Sequence, residues 1–339
     1  MTPRQKLDSL VDLFAPEIRA AFISAIQDIV DNAILRQVIE AIESGDVERA
    51  FRSLGFSPAA MRPLTAALEK AFEQGGVMTG ATFPRYLSTP MGKAVFRFDV
   101  RNSRAESWLR DRSSELVTRI EDETRVNVRN VLTDGMKAGR NPRSVALDII
   151  GRIDQKGART GGIVGLTGQQ EFWVRSARTK LETLDSKYFG LELRDKRFDG
   201  TVRKAIESGK PLPSDIVDKL TTRYKANALR YRGETIGRTE AIHALNRSEW
   251  EATKQAVETG AVSASAVTRI WDSAGDTRVR WSHMRLDGQK VGLDETFRSP
   301  ASGAMMMFPG DSSHGAPGGE VINCRCRVRT EIDWLSDLD

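Results

Sequence analysis

Apolar residues recur along the first part of the chain with helical spacing. Leu7, Leu10, Val11 and Phe14 fall at i, i+3, i+4 and i+7, which puts them on one face of a helix. A second helical stretch is predicted from Pro16, with Phe22, Ile26, Ile29, Val30 and Ile34 at similar intervals. In FSPAAMRPLTAALEKAF, Ser57 can cap a helix start, and Pro58 occupies the first helical position, where its missing N–H costs nothing. Gly75-Gly76 is expected to end that pattern. Residues 75–100 are rich in Gly, Thr and Pro and read as an extended arm. Within it Phe96, Phe98 and Val100 alternate with Arg97 and Asp99, as in a short strand or a segment lying on another surface.

A long helix is expected from Ser103 to Arg140. Its apolar residues Leu109, Leu116, Ile120, Val128, Val131 and Leu132 form a narrow seam between charges, suited to one or two partner helices. Asn141-Pro142 restarts a helix to about Ile153. KGARTGGIVGLTGQQ then reads as a hinge between helices. It lacks the Gly-Lys-Ser/Thr of a phosphate-binding loop and the preceding strand of a dinucleotide site. Helices resume as far as Gly260. Beyond it, AVTRIWDSA and CRCRVRTEI are short β-prone runs, LDGQKV is a turn with a strand-like tail, and the intervening loops are rich in Gly, Pro and Ser.

These patterns predict an α+β protein, mostly helical in its N-terminal and middle regions, with a small C-terminal α+β domain. The expected divisions are a helical region over 1–74, an arm over 75–102, a helical body over 103–260 and the α+β domain over 261–339.

Composition changes this picture little: 40 % hydrophobic and 29 % charged residues are ordinary for a globular chain. The N-terminus carries no long apolar signal segment and no stretch is apolar enough to span a bilayer, so folding in a cytoplasm and no membrane partner are expected. Charge is more informative. The net +5 is uneven, because residues 152–237 hold 18 Lys and Arg against 11 Asp and Glu. A basic stretch can meet phosphates or be a solvated helix face. The candidates for contact with double-stranded DNA are Arg194, Lys196, Arg197, Arg203, Lys204, Arg223, Lys225, Arg230 and Arg232.

The chemistry-bearing residues concentrate elsewhere. Both cysteines, Cys324 and Cys326, and all three histidines, His243, His283 and His314, lie in the last hundred residues. On a strand the two sulfurs would share a face, but a disulfide between residues two apart is strained. A zinc site could combine His283, Cys324 and Cys326 with Asp287 or His314, although C-x-C lacks the usual spacing. The alternative is two small buried thiols beside a histidine that donates to a carbonyl. A Cys-His-Asn nucleophile using Asn323 lacks a helix N-terminus or glycine elbow. Glu240 and His243 form one E-x-x-H with no second copy, which suits helix packing. Asp276 can cap a helix starting at Thr277. Asp272, Asp276, Asp287 and Asp311 are available to hold Mg²⁺ for a nuclease, but in no recognised spacing.

The ordered set GRTEAIHALNRS, WDSAGDTRVRWSHMRLDG, a Phe, FPGD and GGEVINCRC resembles the C-terminal region of the phage Mu F-like head morphogenesis proteins, the minor head or minor capsid proteins of tailed bacteriophages. The resemblance spans about residues 230–330. The matching positions are Arg238, Thr239, Glu240 and Asn246, then Trp271, Asp276, Arg278, Arg280, His283, Asp287 and Gly288. They continue at Phe297, Pro309, Asp311, Glu320, Asn323, Cys324, Arg325 and Cys326. It implies a structural, non-catalytic role in the virion, assembled in the bacterial cytoplasm. It also implies partners: the portal protein, the major capsid protein and double-stranded DNA, with several copies per particle. No toxin domain is expected in the 13 residues after Cys326. The contrasting expectation is a metal-dependent nuclease or other enzyme built on His283, Asp287, Cys324 and Cys326.

Overall fold

The computed structural model describes residues 3–154 and 157–334. In chain order the elements are α1 (Pro3–Asn32), α2 (Leu35–Glu43), α3 (Val47–Arg52), α4 (Arg62–Gly80), the hairpin β1 (Leu87–Thr89) and β2 (Gly92–Ala94), α5 (Ser103–Lys137), α6 (Pro142–Ile150), the hairpin β3 (Arg152–Ile153) and β4 (Arg159–Thr160), α7 (Gly168–Glu182), α8 (Asp199–Ser208) and α9 (Ser214–Glu258). Short elements follow: β5 (Val267–Asp272), α10 (Trp281–Met284), β6 (Lys290–Val291), β7 (Phe297–Arg298), β8 (Met305–Met306), α11 (Gly318–Val321) and β9 (Arg327–Ile332). The architecture is α+β, as the sequence predicts. No helix of the described residues is long and apolar enough to cross a membrane.

Several boundaries move for identifiable reasons. Pro16 does not open a new helix: α1 runs through it, and Phe14 and Ile18 on either side are buried. That burial offsets the hydrogen bond a mid-helix proline forfeits. Ser57 accepts from the Ala60 amide at 3.3 Å, but only in a turn, and the helix itself starts at Arg62. Gly75-Gly76 does not end α4. A Cβ on Gly75 would lie 2.2 Å from Ser248 Oγ, and one on Gly76 would lie 2.3 Å from the Phe98 ring. These glycines provide room for packing rather than a break. Asn141 does cap α6, accepting from the Arg143 amide at 2.9 Å. The glycine-rich stretch supplies β4, which pairs with β3 just before it, and leads to a capping box, Thr167 with Gln170, at the start of α7.

The chain divides into two compact units. One comprises residues 22–63 and 114–233. Its residues Leu181, Tyr188, Val202, Val217 and Leu220 form a buried cluster joined by Phe189, Phe198 and Leu212. Its interior also holds charge: Lys225 Nζ lies 3.1 Å from Asp148 Oδ1, whose other oxygen accepts from Arg140 at 2.6 Å.

The other unit comprises residues 1–21, 64–113 and 234–339. The arm lies on its surface: Phe98 packs on Phe72 with ring centroids 5.7 Å apart, and Phe96 on Phe83 at 5.0 Å. The central strand of its antiparallel sheet is β5, in the order β6-β5-β9, with Val267 opposite Ile332 and Asp272 opposite Arg327. A second pair, β7–β8, sets Phe297 opposite Met306. Residues 234–258 of α9 connect to these elements through side chains. Trp250 donates to Leu293 O at 2.8 Å, and Asn246 reaches both the 309 loop and β9.

Candidate functional site

The sulfurs converge through a turn, not through the pleat of a strand. Asn323 takes φ +54°, a conformation to which Asn is better suited than most residues, and β9 begins only at Arg327. Residues 324–326 are therefore coil. The Cys326 amide donates to Cys324 Sγ at 3.4 Å, and the Asn323 amide donates to Thr239 Oγ1 at 3.0 Å, which ties the turn to α9.

Opposite the turn stands α10, a single helical turn capped at Arg280. No helix starts at Thr277, so Asp276 is not its cap. Asp276 instead accepts from the Arg278 amide at 3.0 Å and binds the Arg325 guanidinium through both oxygens, at 2.8 and 2.6 Å. With only four residues, α10 cannot stack His283 beneath Asp287. Arg280 donates to Ile322 O, holding α10 against the cysteine turn.

His283 Nδ1 lies 3.5 Å from Cys324 Sγ and 3.4 Å from Cys326 Sγ. All three side chains are buried, and each exposes only 1 % of its surface. The opposite ring nitrogen, Nε2, lies 2.9 Å from Glu320 Oε2 on α11, and the same oxygen accepts from Ser282 Oγ at 2.8 Å. The contact is too poorly directed to be a hydrogen bond, but a negative charge beside Nε2 favours the proton on that nitrogen, the tautomer in which the Nδ1 lone pair faces the sulfurs. Trp271 covers the ring edge-on at 5.2 Å and meets Phe297 edge-to-face at 5.3 Å.

The electrostatics follow from this enclosure. Burial alone would raise Glu320, but hydrogen bonds from Ser302 and Ser282 and the adjacent His283 hold it below the ordinary carboxylate range. The hydrogen bond between the two sulfurs lowers Cys324 against the effect of burial, and the same bond together with burial pushes Cys326 up. Among the described residues, this is where three His, Cys or acidic side chains bring potential metal-ligating atoms together, all within 4.8 Å.

The other candidates stand apart from the cluster. Asp287 Oδ1 accepts from the Ser273 amide at 2.7 Å, and Gly288, at φ +76°, donates to Trp271 O at 2.8 Å in the turn that follows. His314 Nδ1 sits 3.5 Å from Asp311. His243 packs between Trp108 and Phe308, with both centroids at 5.4 Å. The four aspartates proposed for Mg²⁺ have separate protein partners. Asp272 binds Arg327 Nε at 2.7 Å, Asp276 binds Arg325, Asp287 holds Ser273, and Asp311 accepts from the Met307 and Ser313 amides at 2.7 and 2.9 Å.

The remaining motif residues are largely structural pins. Glu240 meets Arg112 in a buried two-pronged pair at 2.7 and 2.9 Å. Asn246 uses all its main polar groups: Nδ2 donates to Ile242 O at 2.9 Å and Pro309 O at 3.1 Å, and Oδ1 accepts from the Val328 amide at 3.1 Å. Arg238 is half-buried on α9, and Arg278 is exposed. Arg269, which no sequence pattern singles out, is buried and donates to Gly292 O and Glu295 O in one loop and to Met307 O in another, joining the two.

The basic stretch divides by burial. Lys196, Arg197, Arg203, Lys204 and Arg230 are exposed. Arg194 pairs with Asp199 at 3.0 Å, and Arg223 with Asp195 at 3.1 Å. Lys225 and Arg232 leave the set of DNA contacts. Lys225 is buried against Asp148, and Arg232 is buried with its guanidinium on Glu123 and Gly165 O. A cation enclosed with its own carboxylate has no face left for phosphate.

Residues 196–329 match the family model described as Phage Mu protein F like protein, which bears out the resemblance seen in the sequence. The chain is similar to the uncharacterized protein YqbB of Bacillus subtilis strain 168, with 28 % identity over 137 residues, 40 % of this chain and 41 % of that protein. It is also similar to the minor head protein GP7 of Bacillus phage SPP1, with 37 % identity over 65 residues, 19 % of this chain and 20 % of that one. The matches thus span less than half the length of these relatives. No solved structure matches the chain.

Proposed function

We propose that this chain is a minor head protein of a tailed bacteriophage, a structural and non-catalytic component of the virion. The observation that carries the reading is the family match over residues 196–329, joined to the partial similarity to the SPP1 minor head protein. The geometry supports it: the motif's Glu240, Asn246, Asp276 and Asp311 are engaged with the protein itself and do not line a shared reactive surface.

The finer assignments follow from that role. The portal protein and the major capsid protein are the proposed neighbours of this chain, which is present in several copies per particle and assembled in the host cytoplasm. Packaged double-stranded DNA is the proposed electrostatic partner, met through Lys196, Arg197, Arg203, Lys204 and Arg230.

Purified DNA-filled heads from a phage encoding this chain test the reading. The chain should sediment with the heads at a fixed low stoichiometry, measured by quantitative mass spectrometry. Heads that lack the chain while it accumulates free in the lysate would refute the reading.

A further inference from the structure

We propose that His283, Cys324 and Cys326 bind one zinc ion, through His283 Nδ1 and the two sulfurs, with a non-protein donor in the fourth position. The inference stands apart from the head-protein reading and uses only the geometry of the cluster. Two thiolates and an imidazole are the donor set that zinc favours, and the three ligand atoms already lie within 4.8 Å of one another.

Two further features point to an ion rather than to simple packing. First, the histidine is placed for ligation: Nδ1 lies 3.5 and 3.4 Å from the two sulfurs, and the Glu320 carboxylate, 2.9 Å from Nε2, favours the tautomer with its lone pair on Nδ1. A carboxylate behind a ligating histidine is the usual outer partner of a zinc site. Second, the Cys326 amide donates to Cys324 Sγ, a contact that favours thiolate over thiol.

Charge balance agrees. Zinc with two thiolates is neutral, which suits a site whose ligands are each 1 % exposed. Binding releases the thiol protons to solvent and changes no oxidation state. The ion would clamp α10 to the turn before β9, across about forty residues of intervening chain, so its contribution is to stability rather than turnover.

The test uses the full chain, purified without metal-chelating steps and measured by elemental analysis. About one zinc per chain is expected. Cobalt exchanged into the site should give thiolate charge-transfer absorption and tetrahedral d–d bands. Cys324→Ser/Cys326→Ser should remove both. Because that variant could misfold, Glu320→Gln provides a second arm: it should keep the fold and the zinc but weaken affinity about 10- to 100-fold against a chromogenic chelator. Three results would overturn the proposal: wild-type protein with no zinc that binds none when zinc is supplied, copper in place of zinc, or full zinc content in the double-serine variant.

Discussion

At the residue scale, the buried ionic and amide groups decide most of what the motif does. Arg112 and Glu240 expose only 4 % and 1 % of their side chains, so removing one leaves the other a buried charge that has lost a two-pronged partner. Arg112→Met should therefore cost about 3–5 kcal/mol by chemical denaturation, and adding Glu240→Leu should recover much of the loss. Glu249 behaves differently. It lines a cavity of about 440 Å³ with Leu7, Met78, Phe83 and Trp334, and burial pushes its carboxyl up to about 7 despite the nearby Thr330 and the charge of Arg327. The folded state thus keeps a proton that the unfolded chain releases near pH 4.5. Stability from this group is full below that value and is lost as pH rises through about 7. Glu249→Gln should flatten the melting temperature between pH 5 and 8, and an unchanged slope would contradict the assignment.

The sequence made part of this scale legible. His283, Cys324 and Cys326 stood out because their residue types are scarce and clustered. Glu320 could not be identified as the partner of His283, because 36 intervening residues leave no periodic signal. Lys225 and Arg232 looked like their exposed neighbours, since their carboxylates, Asp148 and Glu123, lie far away in sequence.

At the scale of elements, helices with their own caps and seams were legible, and those shaped by distant contacts were not. The helix predicted from Ser103 appears as α5 almost as expected, because its charges and apolar seam are local. The run of α4 through Gly75-Gly76 depends on Phe98 and Ser248, which no local pattern reveals. Two substitutions separate these cases. Gly76→Ala adds a Cβ 2.3 Å from the Phe98 ring and should lower stability by about 1–3 kcal/mol despite its better helix propensity. Gly200→Ala in α8 meets nothing within 4 Å and should raise stability by about 0.5–1 kcal/mol. Thermal melts of both variants measure the contrast.

At the scale of the molecule, the unit bearing the motif is assembled from three separate stretches of chain, so its integrity rests on side chains that bridge them. Local periodicity carries no information about such bridging. The exposed cations of the other unit give the test of the proposed contact with DNA. Arg203→Ala/Lys204→Ala should weaken duplex binding equally across sequences and lower the slope of log affinity against log salt by about 2. The central claim is that the motif between residues 238 and 326 acts by locking its unit together. Asn246 tests this most directly, because it joins α9 to the 309 loop and to β9 with one side chain. Amide hydrogen exchange on the full-length Asn246→Ala variant should show β5 and β9 exchanging roughly 30- to 1,000-fold faster, corresponding to about 2–4 kcal/mol for the groups left unpaired. Exchange at the wild-type rate in both strands would contradict the claim.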